Sequence, residues 1–224
     1  MSLDPSFALA QVYAAFCSHN RYWANRPLTS DEQSRAIRLA ACAVELAPDD
    51  ATVLGIAAYV LGNLADDVER GNALADRAVA INCNFSHVWA IKGYLTVLMG
   101  DVAGARQALN EAIRLNPLDV GNIVRVARSH MTACMALGEH EEQASWARKL
   151  LAVSPTDVHG LVALLGYAVR HGDSLEANRM LATIQQLYPQ LRKAHLRRMY
   201  LRYRKPEHQA AIVELLSEDM GLPE

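Results

Sequence analysis

His130 and Cys134 stand four residues apart, a spacing that puts two metal ligands on one helix face. No other Cys/His cluster adjoins them, so the pair reads as a packed cysteine beside a polar histidine, and no metal is expected. Glu141-Glu142 and Asp49-Asp50 are paired carboxylates, the raw material of acid–base chemistry. Both pairs fall at helix starts, where negative charge favours the macrodipole without any catalytic role. Neither a Gly-rich phosphate loop nor a nucleophile elbow occurs. The reading is of a chain with no catalytic residue and no cofactor.

Charge offers a second kind of chemistry. Arg192, Lys193, Arg197, Arg198, Arg202, Arg204 and Lys205 crowd between Leu191 and Lys205 with no acid among them, in a chain of net charge -2. Such a patch could meet phosphate or an acidic partner domain, with Tyr200 and Tyr203 near enough to stack on bases. Charge runs more often form solvated faces, and the preferred reading is that these side chains cover an acidic repeat surface. With a pI near 6.4, nucleic acid is disfavoured as a partner.

The elements that position these residues are helices. Trp89, Gly93, Gly100, Ala105, Leu109, Ala112 and Pro117, between Ser86 and Asp119, fit a helix–turn–helix unit with a period of ~34 residues. Gly100-Asp101 reads as a left-handed stop followed by a helix cap, and Pro117 closes the second helix. Gly93, Ala105 and Ala112 are small where two helix backbones must approach closely. One such hairpin cannot bury its own apolar stripe, so copies must stack on it.

The copies are found along the chain. Units span about 8–50, 51–85, 86–119, 120–157 and 158–190, followed by basic capping helices over 191–224. The first carries an extended loop from Asn20 to Ser30, with Asn25, Pro27 and a cap at Thr29 or Ser30. The second has Cys83 where proline would stand. The fourth is about one helical turn longer before Leu137-Gly138. In the last segment Ala210, Ile212, Val213, Leu215 and Leu216 give a helix its apolar side. Pro5 falls where the closing proline of a preceding unit would be, so the chain reads as part of something longer, with Met1-Ser2-Leu3 foreign to it.

Composition agrees. With 51% hydrophobic and 6% aromatic residues, alanine- and leucine-rich helices can pack tightly, and strand-rich folds are disfavoured. Cys17, Cys42, Cys83 and Cys134 lie far apart within or beside helical patterns and are expected as buried free thiols in a cytoplasmic protein. No apolar run is long enough to span a bilayer, and no secretory signal opens the chain.

These units resemble the tetratricopeptide repeat (TPR), which implies an all-α, right-handed solenoid of about five hairpins with a C-terminal cap. The Asp-Pro-Ser-Phe-Ala-Leu-Ala opening, the longer fourth unit and the Pro206-Glu207 to Gly221-Leu222-Pro223-Glu224 close look more particular. Together they resemble the C-terminal TPR region of bacterial class III adenylate or guanylate cyclases and of related winged-helix regulators. What the resemblance implies is a non-catalytic interaction module of a larger signalling protein. The alternative is an oligomerisation scaffold of a TPR-containing transcriptional regulator.

In TPR geometry the first helix of each unit lines a concave groove, and the ninth residues are Phe16, Tyr59, Tyr94, Arg128 and Gly166. His19, His87, His159 and Met131 adjoin them. Phe16, Tyr59, His87, Tyr94, Arg128 and His159 are therefore the candidate surface for a protein or peptide, for adjacent domains, or for a second copy of the chain. The competing reading packs the tyrosine bodies between helices. Capture of an acidic chaperone tail is disfavoured, because the fifth residues, Val12, Gly55, Ala90, Val124 and Val162, supply no lysine or asparagine clamp.

Overall fold

The computed structural model describes residues 6–23, 28–217 and 220–223, without the side chains of Trp23, Arg198, Met199, Ala211, Ile212, Leu215 and Leu216. The opening before Ser6, and Asn25 and Pro27 of the first loop, lie outside the described residues. So do the Arg198 side chain and most of the apolar side proposed for the last helix.

Among the described residues there are twelve helices and no strand. They are α1 (Ala8–Trp23), α2 (Ser30–Leu46), α3 (Ala51–Leu64), α4 (Val68–Ile81), α5 (Ser86–Met99) and α6 (Val102–Leu115), followed by α7 (Val120–Leu137), α8 (His140–Val153), α9 (Val158–Arg170), α10 (Ser174–Leu187), α11 (Lys193–Tyr200) and α12 (Pro206–Ser217). The first ten pair as five hairpins, and each later hairpin rests its first helix on the hairpin before. This is the expected solenoid.

Local chemistry sets each boundary. Asp50, Asp67, Asp101, Asp119, Asp157 and Asp173 precede α3, α4, α6, α7, α9 and α10, and each carboxylate accepts a first-turn backbone N–H. Thr29, rather than Ser30, caps α2 in a capping box with Glu32. Gly100 ends α5 at φ 90°, a left-handed conformation that glycine adopts without strain. At Gly71 a Cβ would lie 2.8 Å from the Ala58 carbonyl oxygen, so α3 and α4 meet at a distance only glycine permits. Ala105, Leu109 and Ala112 are fully buried on the α6 stripe. α7 has 18 residues where α5 has 14, the extra turn read from the fourth unit.

Three expectations need correction. Helix α1 continues through Asn20 to Trp23, because Tyr22 packs against the core and rewards the added turn. Cys17 and Cys83 are exposed and Cys42 is half-buried, so buried thiols are found at Cys134 alone of the four. Cys83 lies in the turn between α4 and α5, where its carbonyl accepts the Trp89 indole N–H at 2.7 Å.

The third concerns the C-terminal segment, which does more than cover the last hairpin. Met220 and Leu222 are buried there, and the Lys193 N–H donates to the Pro223 carbonyl at 2.8 Å, closing the end over Ile184. Between these points, however, the chain runs back along the solenoid. Tyr200 to Lys205 crosses to the ends of α3 and α5, and α12 packs against α7.

Candidate groove on the inner face

Side chains from the first helix of every hairpin meet around one cavity of about 100 Å³. His19 and Asn20 come from α1, Tyr59 from α3, Tyr94 and Leu98 from α5, Arg125, Arg128, Ser129 and Thr132 from α7, and His159 from α9. Tyr200 of α11 closes it. Successive hairpins deliver these residues because stacking keeps equivalent helix faces in register.

The rings form a continuous ladder. His19 and Tyr59 have centroids 4.3 Å apart, and Tyr59 meets Tyr94 edge-on at 5.8 Å. Phe16 touches both Tyr59 and His87, at 6.3 Å in each case, so Phe16 and His87 extend the ladder without lining the cavity itself. The Tyr94 hydroxyl donates to Asn63 Oδ1 at 3.1 Å, and Asn63 Nδ2 donates to the Tyr59 carbonyl at 2.8 Å. Burial pushes the Tyr94 phenol well above its ordinary range, so it stays a neutral donor.

Two arginines of α7 face this ladder in different states. Arg128 donates from Nε to Asp157 Oδ2 at 2.9 Å, while Oδ1 of the same buried carboxylate caps α9 through the His159 N–H at 3.0 Å. Arg125 has no carboxylate in hydrogen-bonding contact among the described residues. Its Nη2 lies 3.0 Å from His87 Nδ1, and its Nε is buried without a partner. Burial lowers the Arg125 pKa and holds His87 near 4, so at neutral pH His87 is uncharged and Nδ1 accepts from the guanidinium. The inner face thus presents, beside aromatic rings, a cation that no carboxylate hydrogen-bonds among the described residues.

Burial holds the histidines here uncharged at pH 7. Burial takes His19 and His159 to about 3, and His159 Nδ1 shares a hydrogen bond of 2.8 Å with the Tyr200 hydroxyl. His130 lies outside the groove, stacked on Trp146 with centroids 4.2 Å apart and held near 4. Its partner in the i, i+4 pair, Cys134, approaches Glu139 and Glu142 instead. That trio surrounds the Arg106 guanidinium, which pairs with Glu139 and, at 3.1 Å, with Glu142. A cation already occupies the place a metal would take, and the Cys134 thiol is pushed up to about 12.

The basic run is split by the structure. Arg202 is buried to 9% side-chain exposure and donates to Asn63 Oδ1 at 2.5 Å, to the Gly62 carbonyl at 2.6 Å and to Asp66 at 3.2 Å. Arg204 pairs with Glu69 at 2.9 Å and reaches Asp66. Tyr200 and Tyr203 are buried rather than presented for stacking on bases. Arg192 donates to the Pro189 and Leu191 carbonyls, Lys193 is buried, and Arg197 and Lys205 are exposed. Arg125, Asn20 and Asn63 were not singled out by the sequence pattern. Arg125 stands three residues before the expected Arg128, and that one-turn spacing on α7 was the available signal.

Fold and site together define a superhelical repeat protein with a lined inner groove. No family model matches the chain, and no curated protein does. Solved structures do. A thermophilic TPR protein of Thermus thermophilus is similar with a TM-score of 0.61 and 16% identity, covering 92% of this chain and 98% of that one. A TPR protein of Parabacteroides merdae gives 0.58 and 13% over 97% and 80% of the two chains. Pseudomonas aeruginosa pilF gives 0.56 and 17% over 94% and 83%. At these identities the likeness is one of fold: the chain has the helical-hairpin solenoid of TPR proteins.

Proposed function

We propose that the protein is a non-catalytic interaction module whose inner groove binds a segment of a partner protein. The observation that carries this is the ring ladder from Tyr94 through Tyr59 and Phe16 to His87, which ends beside Arg125, a half-buried cation with no carboxylate in hydrogen-bonding contact among the described residues. Aromatic rings and arginine are the side chains that most often anchor protein interfaces. The neutral histidines and the helix-capping Asp157 carboxylate beside them position these groups.

The test places a photo-crosslinking residue at Tyr59, or at the exposed Arg38 on α2 as a control, in otherwise intact chains. Partner adducts are expected from position 59 only, and Arg125→Met is expected to reduce them at least tenfold without loss of folding. Equal adducts from both positions, or full binding by Arg125→Met, would remove the groove reading.

The finer assignment, a regulatory part of a bacterial signalling protein bearing a nucleotide-cyclase domain, rests on the sequence resemblance, and sequencing the whole gene for a cyclase catalytic domain in the same reading frame tests it. A cytoplasmic setting rests on four unpaired cysteines. The alternative, a scaffold for self-assembly in a transcriptional regulator, requires a mass that rises with concentration in light scattering.

A further inference from the structure

The groove is partly filled by its own chain. After α11 the backbone leaves helical geometry, and Tyr200 to Arg204 lies across the ends of the inner helices. Each contact is one that a bound peptide would make. Arg202 supplies a guanidinium to the last-turn Gly62 carbonyl of α3, an acceptor left over at a helix C-terminus where positive charge is favoured. The Arg204 backbone N–H donates to the Leu98 carbonyl at the end of α5, at 2.7 Å. The Tyr203 hydroxyl donates to the Thr132 carbonyl of α7 at 2.6 Å, with the ring fully buried.

Arg202, Tyr203 and Arg204 therefore touch three successive hairpins through one fully buried ring flanked by two arginines, while Tyr200 reaches His159 of the next hairpin. It also shares an acceptor with the ring ladder: Asn63 Oδ1 receives both the Tyr94 hydroxyl and Arg202.

We propose that Tyr200 to Arg204 is a ligand held in cis, occupying the α3–α5 end of the groove until an extended partner segment that pairs an aromatic side chain with arginines displaces it. This deepens the groove reading by naming the partner's chemistry, and it rests on that reading. The acids that receive the arginines, Asp66 and Glu69, have side chains 63% and 57% exposed, so a competitor's cation can reach both carboxylates from solvent. The same acids select a cationic segment over an acidic one. A short tether keeps the cis segment at an effective concentration in the millimolar range, which an outside segment must outcompete.

The experiment uses the full chain and a fluorescent peptide of sequence Met199 to Pro206, read by anisotropy. Arg202→Ala with Arg204→Ala loosens the cis segment, and the peptide is expected to bind this variant at least ~tenfold more tightly than the unaltered protein. Adding Asp66→Asn and Glu69→Gln is expected to abolish that gain; asparagine tolerates the positive φ of 54° at position 66. A loosened variant that binds no better, or binding indifferent to the acid substitutions or to scrambling of the peptide, overturns the proposal.

Hydrogen exchange on Tyr203→Phe guards against a merely unfolded variant. Residues 200–205 are expected to exchange through a local opening while α3 and α5 stay protected. Exchange of both only on global unfolding would make the segment a fixed part of the core. That result would leave crosslinking from Tyr59 untouched, so the two readings fail separately.

Discussion

The α3–α4 hairpin and the Tyr200–Lys205 segment are held by opposite means. The hairpin is held by shape: Ala57, Ala58, Ala75 and Ala78 are fully buried, and Gly71 lets two backbones meet. The segment is held by polar contacts to helix ends and acids, with Tyr203 its fully buried ring. Shape complementarity between small residues is stiff and repeats at every unit, whereas hydrogen bonds to half-exposed acids can be traded for a partner's. The difference separates a frame from a movable part.

The comparison breaks hardest at Gly71. A Cβ there would meet the Ala58 carbonyl oxygen at 2.8 Å and Gly62 Cα at 3.1 Å, both backbone atoms that cannot swing aside. Gly71→Val is expected to destabilise the protein by about 3 kcal/mol or more, measured by urea denaturation. The loss should spread to the neighbouring hairpins, since each unit leans on the next. A loss below about 1 kcal/mol would show that the frame is softer than its packing implies.

This division also explains what was legible in the sequence. Gly93, Ala105 and Ala112, Gly100-Asp101 and the long fourth unit announced the hairpins because the same small residues and caps recur at one period. The same period put Tyr59, Tyr94 and Arg128 on one face, and all three line the cavity. The return of Tyr200 to Arg204 into the groove was not legible, since its partners at Gly62, Asn63 and Asp66 lie far away in sequence and occur once. Helical periodicity reports which face a residue occupies; it carries no signal for a unique long-range contact. Arg125 escaped for a related reason, as its lack of a carboxylate is a property of the assembled face.

Acid probes the junction of the two regions, with a smaller effect per residue. His19, His87 and His159 are held by burial near 3, 4 and 3, below the value of about 6.5 expected in the unfolded chain. The folded state therefore binds fewer protons, and stability is fully present above pH 6.5 and falls as pH drops through the window from 6.5 towards 3. Each buried histidine is expected to cost about 2 kcal/mol by pH 5. Thermal melting at pH 7 and pH 5 measures it, with His159→Gln flattening the dependence by one residue's share. Because His159 bonds Tyr200, residues 200–205 should lose exchange protection at a higher pH than α3 does. Equal melting at both pH values would mean these rings are wetter than their burial implies.

The smallest effect isolates the segment alone. Arg204 holds the Glu69 carboxyl below its ordinary range, through a contact that stays open to solvent. Glu69→Gln is expected to change global stability by less than ~1 kcal/mol. It should nevertheless speed exchange at residues 200–205, and raising the salt concentration should mimic it by screening. If global stability falls by as much as for Gly71→Val, the segment belongs to the frame, and the contrast between stiff packing and exchangeable pairing no longer describes this molecule.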